Sequence, residues 1–331
     1  MTPCAPGDSD WMAAAVALSR RGRPASAPNP NVGCLIVQPA PAEAGGRLIS
    51  RGWTQPGGRP HGEAMAIAAA GSAARGATAY VTLEPCAHAS ARGPACSDLL
   101  IEAGVARVVI AAQDPDPRTD GKGIARLRAA GLEVEVGVLP AEARAAMAPW
   151  WTRLTAGRPY VTLKLATSLD GCIARADGSS RWITGDRARA HGHLERASHE
   201  AILVGRATLD TDAPRLDVRL PGLEDRSPEK YVLTRGAAPE GWTAVATPDA
   251  IEGVDSLLVE GGAGAASAFL AADRVDRLLL YRAPILIGDG KPALGDIGLS
   301  DLAAAHGRWR LADSRMLGSD RLDVYERVRE G

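Results

Sequence analysis

Residues 61 to 96 constrain this chain more than any other stretch. They read His61-Gly62-Glu63, then the run Thr78-Ala79-Tyr80-Val81-Thr82-Leu83, then Glu84-Pro85-Cys86, with Cys96 ten positions further on. One imidazole and two thiolates form the ligand set that holds a tetrahedral zinc ion and leaves one position for water. Glu63 stands two residues from His61, close to such a metal without having to ligate it. A carboxylate there can take a proton from the water and pass it to a leaving group. The neighbouring residues supply an α/β frame. Residues 61 to 70 are strong helix formers apart from Gly62, and 78 to 83 are apolar and β-branched enough for a buried strand. His61 therefore falls at a helix start and Cys86 at a strand end, where functional groups collect in α/β sheets. Taken singly, the two cysteines read as ordinary core and His61 as a helix start; the ordered set with Glu63 favours the metal.

The rest of the composition narrows the setting. A length of 331 residues suggests two domains, and 46% hydrophobic with 23% charged residues is ordinary for a soluble globular protein. A net charge of −1 gives no electrostatic case for a phosphate polymer, so no nucleic-acid partner is expected. Five cysteines, an odd number with two already claimed by the metal, point to a reducing compartment and leave Cys4, Cys34 and Cys172 as free thiols. No stretch reaches the ~18 unbroken apolar residues of a membrane span. The N-terminus, with Asp8 and Asp10 before an Ala-rich helix, lacks the basic and apolar regions of a signal peptide. A cytoplasmic protein with no membrane partner is expected.

Along the chain, a helix is predicted over 9–21, closed by Gly22 and Pro24. Pro28-Asn29-Pro30-Asn31-Val32-Gly33 follows, read either as a plain turn or as a loop in which Asn29 offers its amide to a ligand. A hairpin is predicted with strands near 34–38 and 47–53 joined through Gly45-Gly46. Beyond the metal segment the pattern gives a helix at 96–103, a strand at 107–111 ending in the rigid, acceptor-rich Asp114-Pro115-Asp116-Pro117, a helix at 121–130, a strand at 133–138 and a helix at 140–154. Gly157-Arg158-Pro159 leads into the second half, with strands expected at 160–165, 201–205, 231–234, 256–260, 277–287 and 321–327 and helices at 186–197 and 264–272. Alternating strand and helix in the first half have the spacing of a three-layer α/β domain, and two three-layer α/β/α domains, residues 1–150 and 151–331, are expected. Glu260-Gly261-Gly262-Ala263-Gly264 lies between a strand and a helix, and reads equally as a phosphate-holding backbone turn or as a tight turn whose glycines permit close packing.

The order His-x-Glu…Pro-Cys…Cys matches the zinc-deaminase signature, with nine residues between the cysteines in place of the usual two. Several further motifs stand in register with it. They are Asn29-Pro30-Asn31-Val32-Gly33, His61-Gly62-Glu63-Ala64, Thr82-Leu83-Glu84-Pro85-Cys86-Ala87-His88 and Asp114-Pro115-Asp116-Pro117 in the first half. In the second they are Leu163-Lys164, Ser168-Leu169-Asp170-Gly171, Trp182-Ile183-Thr184-Gly185, Val204-Gly205 with Thr208, Val218-Arg219 and Val259-Glu260-Gly261-Gly262. In this order the chain resembles the bifunctional deaminase/reductase family of bacterial riboflavin biosynthesis.

The resemblance implies a cytidine-deaminase-like domain followed by a dihydrofolate-reductase-like domain that uses NADPH. The first would remove the 2-amino group of 2,5-diamino-6-ribosylamino-4(3H)-pyrimidinone 5′-phosphate, with zinc on His61, Cys86 and Cys96, Glu63 shuttling protons, and Asn29, His88, Asp114 and Asp116 against the substrate. The second would reduce the ribosyl group to ribityl. Its NADPH contacts would include Ala166, Trp182, Thr208, Asp212, Gly262, Ala263 and Gly264, and its substrate contacts Ser180, Arg196, Leu216, Arg219 and Glu260. A homo-oligomer, a dimer, is expected.

The chain departs from the family pattern in places. The family has eight residues between the zinc cysteines and a Gly-Lys/Arg-Thr-Pro-Pro run before the second; here nine intervene, and Arg92 is left to meet the phosphate. Asp116 stands where Asn is usual, Thr54 where His is common, Ala213 where a second Asp is usual, and residues 220–256 are shorter than typical. Those differences keep a second reading in view, an active deaminase whose C-terminal half is a non-catalytic binding or dimerisation module. A nucleic-acid deaminase is opposed by the charge balance and the cysteine spacing. A purely structural zinc would need a fourth protein ligand, for which His88 is the nearest candidate.

Overall fold

The protein was analysed as a computed structural model that describes residues 7–39, 46–88 and 91–329. Cys4, Gly45, Ala89 and Ser90 lie outside the described residues. The chain divides into two compact units, Met1–Gly157 and Arg158–Gly331.

The first unit runs α1 (Asp8–Ser19), β1 (Gly33–Gln38), β2 (Arg47–Trp53), α2 (Gly62–Ala70), β3 (Thr78–Leu83), α3 (Cys96–Ala103), β4 (Arg107–Ala112), α4 (Lys122–Ala129), β5 (Glu133–Val136), α5 (Pro140–Ala146) and α6 (Ala148–Ala156). Its sheet has the order β2-β1-β3-β4-β5, with β1 antiparallel to both neighbours and β3, β4 and β5 parallel. Strands β3 and β4 are buried on both faces, as their unbroken apolar runs require. Helices α1 and α5 form one layer against β3 and β4, and α2, α3 and α4 lie in a row on the other side. The start of α1 is fastened to the sheet by one buried carboxylate. Asp8 accepts from Tyr80 of β3 at 2.7 Å and from both terminal nitrogens of Arg107 of β4 at 2.9 Å.

The single helix predicted over 140–154 is two. Pro149 has no N–H to give a continuing helix and its ring would strike the preceding turn, so the backbone breaks at buried Met147 (φ −106°, ψ 15°). Residues 151–156 complete α6, which belongs to the first unit.

The second unit contains β6 (Tyr160–Thr167), β7 (Cys172–Arg175), α7 (Asp186–Arg196), β8 (Ala201–Gly205), α8 (Arg206–Asp212), β9 (Glu229–Leu233), β10 (Thr243–Val245), β11 (Ser256–Val259), α9 (Ala263–Ala271), β12 (Arg277–Arg282), β13 (Gly290–Pro292), β14 (Trp309–Leu317) and β15 (Asp320–Arg327). Eight strands form one sheet in the order β10-β9-β8-β11-β6-β12-β15-β14, parallel from β10 to β12 and antiparallel beyond. Strands β7 and β13 pair separately.

The strand predicted over 277–287 stops at Arg282. Pro284 cannot donate to a ladder, and the apolar residues after it belong to a loop held by Asp170, whose carboxylate accepts from the N–H of Ile287 at 3.2 Å and of Gly288 at 2.7 Å. Strands β7, β10, β13 and β14 and helix α8 were not predicted. In β14 every residue from Arg310 to Met316 is exposed, so no alternation marks it in sequence. Among the described residues no helix is long and apolar enough to cross a membrane.

Candidate active sites

His61 is the residue that caps α2, Cys86 follows the end of β3, and Cys96 opens α3. Their ligand atoms lie within 4.8 Å of one another. His61 Nδ1 is 3.3 Å from Cys96 Sγ and 3.7 Å from Cys86 Sγ, and the Cys96 N–H donates to Cys86 Sγ at 3.2 Å. The hydrogen bond between the two sulfurs pushes Cys86 down and Cys96 up. Among the described residues no fourth His, Cys or carboxylate joins this group, and His88 stands outside it.

Glu63 lies in the first turn of α2, buried, with Oε2 out of reach of any hydrogen-bond partner. Burial pushes its carboxyl up, partly offset by His61. A buried carboxylate oxygen without a partner costs free energy unless a ligand, water or ion meets it. The three donors and this oxygen fit a catalytic zinc ion with one open position.

Close backbone approach positions these groups. A Cβ on Gly52 of β2 would lie 2.2 Å from Gly62 O, so glycine there lets the start of α2 seat on the sheet. A Cβ on Gly123 would lie 2.0 Å from Pro85 O, so α4 presses directly on the Pro85-Cys86 turn. The carboxylate of Glu84 gathers the same region, accepting from the N–H groups of Asp114 (3.3 Å), Gly121 (2.9 Å) and Ile124 (3.1 Å). Its anchoring role went unread in the sequence because its partners lie 30 to 40 residues away.

The expected substrate residues of this half gather around the metal group to different degrees. Asn29 donates to Gly58 O at 2.9 Å, and its amide nitrogen is 3.3 Å from His61 Nε2, so it braces the imidazole as well as the turn. Thr54, where the family commonly has His, is buried and its Oγ1 accepts from the N–H of Val32 at 2.9 Å, pinning the same turn. His88 has a buried Nδ1 without a partner. Asp114 is pushed up to about 7 by burial, with Asp116 and Glu84 adding to the rise. Asp116 is held down by its hydrogen bonds from Arg118. Arg92 donates to Gly57 O at 2.8 Å and Arg59 to Pro94 O at 3.2 Å, cross-bracing the two loops beside the site.

In the second unit two adjoining cavities of about 320 and 370 Å³ open at the carboxyl ends of β6 and β11, where ligands bind in open α/β sheets. They share Lys164, Trp182, Thr184, Arg189 and Glu260. The larger is lined by the expected cofactor residues Ala166, Trp182, Thr208, Asp212 and Gly262, and by Ser180. The smaller is lined by Arg196, Arg219 and Glu260, and also by His193 and Tyr281. Ala263 and Gly264 form the first turn of α9 and do not line either cavity. Leu216 packs instead with Ile202, Val204 and Leu258.

The glycines of residues 260–264 divide their work. A Cβ on Gly261 would lie 2.7 Å from Val204 Cα, which is the close-packing reading. Gly262 faces the cavity, with Thr208 Oγ1 3.0 Å from where its Cβ would be, and its φ of 5° lies outside the left-handed region. Glu260 is buried. Burial would raise its carboxyl, but Lys164 at 3.7 Å and the paired Arg196 at 2.7 and 2.9 Å hold it low. Lys164 entered the sequence reading only as part of a motif; its place where the cavities join depends on β6 lying beside both β11 and β12.

A sheet that carries a His/Cys/Cys group beside a buried acid, followed by a mixed, mainly parallel sheet with a cofactor-sized cleft, fits a zinc-dependent deaminase fused to a reductase. The comparisons with known proteins agree for each half. Residues 6–112 match the cytidine and deoxycytidylate deaminase zinc-binding region, and residues 159–250 and 250–322 match the RibD C-terminal domain. The riboflavin biosynthesis protein RibD of Escherichia coli is 36% identical over 95% of this chain and 97% of its own, and that of Mycobacterium tuberculosis H37Rv is 39% identical over 89% and 90%. Among solved structures, Acinetobacter baumannii RibD superposes with a TM-score of 0.84 at 33% identity, covering 98% of this chain and 99% of that one. A Thermotoga maritima diaminohydroxyphosphoribosylaminopyrimidine deaminase/5-amino-6-(5-phosphoribosylamino)uracil reductase gives 0.83 at 31% identity, covering 97% and 99%. The chain belongs to the RibD family, the bifunctional zinc-dependent deaminases and NADPH-dependent reductases of riboflavin biosynthesis. The non-catalytic reading of the second half is set aside with that.

Proposed function

We propose that His61, Cys86 and Cys96 hold the zinc ion, that Glu63 moves the protons, and that the substrate is 2,5-diamino-6-ribosylamino-4(3H)-pyrimidinone 5′-phosphate. The observation that carries this reading is the partnerless Glu63 Oε2, buried beside the three-ligand group. Zinc, when bound, supplies Lewis acidity that brings a water's pKa near neutrality. Glu63 would carry a proton from the attacking water to the 2-amino group, so that the C2–O bond forms as the C2–N bond breaks and ammonia leaves. Asn29 packs against the outer edge of the His61 ring, and Glu84 with Gly123 keeps Cys86 at the strand end. His88, Asp114 and Asp116 are the polar groups left for the pyrimidine and its ribose phosphate.

In the second unit NADPH supplies the hydride. Ala166, Trp182, Thr208, Asp212 and Gly262, which line the larger cavity, would hold the cofactor, and Ala263 and Gly264 follow Gly262 in the first turn of α9. Arg196, Arg219, Glu260 and Ser180, which line the two cavities, would hold the deaminated nucleotide. The paired charges of Lys164 and Glu260 sit where the cavities meet, which is where a cofactor in one and a nucleotide in the other would bring the hydride to the sugar.

A side chain at Gly262 would stand in the cofactor cavity against Thr208. Gly262→Val is expected to raise the Michaelis constant for NADPH about tenfold or more while zinc content and ammonia release stay near wild type. NADPH titrations by Trp182 fluorescence check it, and unaltered titrations in a well-folded variant would remove Gly262 from the cofactor site.

A cytoplasmic location agrees with four described cysteines, all free. Self-association as a dimer is supported by β14, an edge strand exposed along its length. Equilibrium sedimentation is expected to give twice the chain mass; a monomer at micromolar concentration would contradict it.

A further inference from the structure

Tyr281 of β12 forms part of the wall of the smaller reductase cavity, opposite Ala166 in the sheet register. The Lys164 ammonium stands 5.7 Å from its ring centroid, and Glu260 lines the same cavity. The tyrosine hydroxyl is 2.6 Å from Nδ1 of His191 on α7, and the other ring nitrogen, Nε2, lies 3.0 Å from a terminal nitrogen of Arg315 on β14.

That third contact decides the direction of the chain. A guanidinium can only donate, so His191 Nε2 accepts and the ring proton sits on Nδ1. Nδ1–H must then donate to the tyrosine oxygen, which leaves the tyrosine's own proton free to be given elsewhere. Among the described residues no other group pairs with that hydroxyl. The nearby carboxylate of Glu195, 4.0 Å from Nε2, is committed to Arg277 at 3.0 and 3.3 Å and does not reverse this order. Burial and the neighbouring arginines lower the His191 pKa, keeping the ring neutral as the arrangement needs.

We propose that Tyr281 is a substrate-positioning residue of the reductase, donating its hydroxyl proton to a polar group of the bound sugar nucleotide, and that His191 is the positioning residue that orients it. The proposal rests on the smaller cavity being the nucleotide site. The plainer role for the pair, a buried tyrosine satisfied by a histidine, predicts lost stability without a linked kinetic effect.

The test uses full-length zinc-loaded protein and reduction of the deaminated nucleotide, followed by NADPH absorbance. Tyr281→Phe keeps the ring and removes the donor, and it should lower kcat/KM for the nucleotide about tenfold, the cost of one hydrogen bond, with the Michaelis constant for NADPH unchanged. His191→Leu should produce the same loss, and the double variant should be no worse than either single one. His191→Asn, which returns an amide donor near the position of Nδ1, should restore most of the rate. Wild-type kinetics in Tyr281→Phe would overturn the proposal. So would losses that multiply in the double variant, or an Asn variant as slow as the Leu variant. If Tyr281→Phe is silent while Gly262→Val remains impaired, this inference fails alone; if both are silent, the cleft itself is misassigned.

Discussion

Glu63→Gln should retain its zinc and lose its deaminase activity. The substitution preserves the shape of a buried side chain and removes its ability to accept a proton. General acid–base groups contribute about 10² to 10⁴ in rate, so ammonia release should fall by roughly that factor. NADPH-dependent reduction of the already deaminated nucleotide should be almost unchanged, because its machinery lies in the other unit. Metal analysis and the two rates, measured on one preparation, separate the possibilities. Loss of zinc from this variant would make Glu63 a ligand, and full ammonia release would leave the buried oxygen without a role.

Cys86→Ser and Cys96→Ser should each lose the metal. A serine hydroxyl does not ionise near neutral pH as a thiolate does, and a site with only three protein ligands cannot spare one. Zinc content should drop from about one per chain to near zero after dialysis against a weak chelator, and deamination should fall with it. Cys96 is the first residue of α3, after the cap Ala95, and serine there nearly keeps the size of the side chain, so the unit should remain folded enough for the measurement. Full zinc retention in both variants would refute the ligand assignment.

Much of this site could be read from sequence because its chemistry is carried by short motifs at element ends. His61 and Glu63 share one helix turn, Cys86 follows a strand whose apolar run is unmistakable, and Cys96 opens a helix predicted with the bounds it has. What escaped depends on distant partners. Glu84 acts by gathering amides 30 to 40 residues away. Tyr281 and His191 meet across 90 residues, and nothing local to either marks the pairing. The misread elements have local causes of a different kind. Pro149 splits a helix whose apolar spacing continues across the break, Pro284 ends a strand whose apolar run continues into a loop, and β14 is exposed from Arg310 to Met316 and lacks the periodicity that a buried face imposes.

The central claim is that one chain performs two successive reactions at two separate sites. Purified protein incubated with the diaminopyrimidine nucleotide, with and without NADPH, tests it when ammonia and NADPH absorbance are followed separately. The account predicts ammonia release in both incubations and NADPH consumption only after ammonia has begun to appear. NADPH consumption without ammonia, or ammonia release that never leads to NADPH consumption, would contradict it.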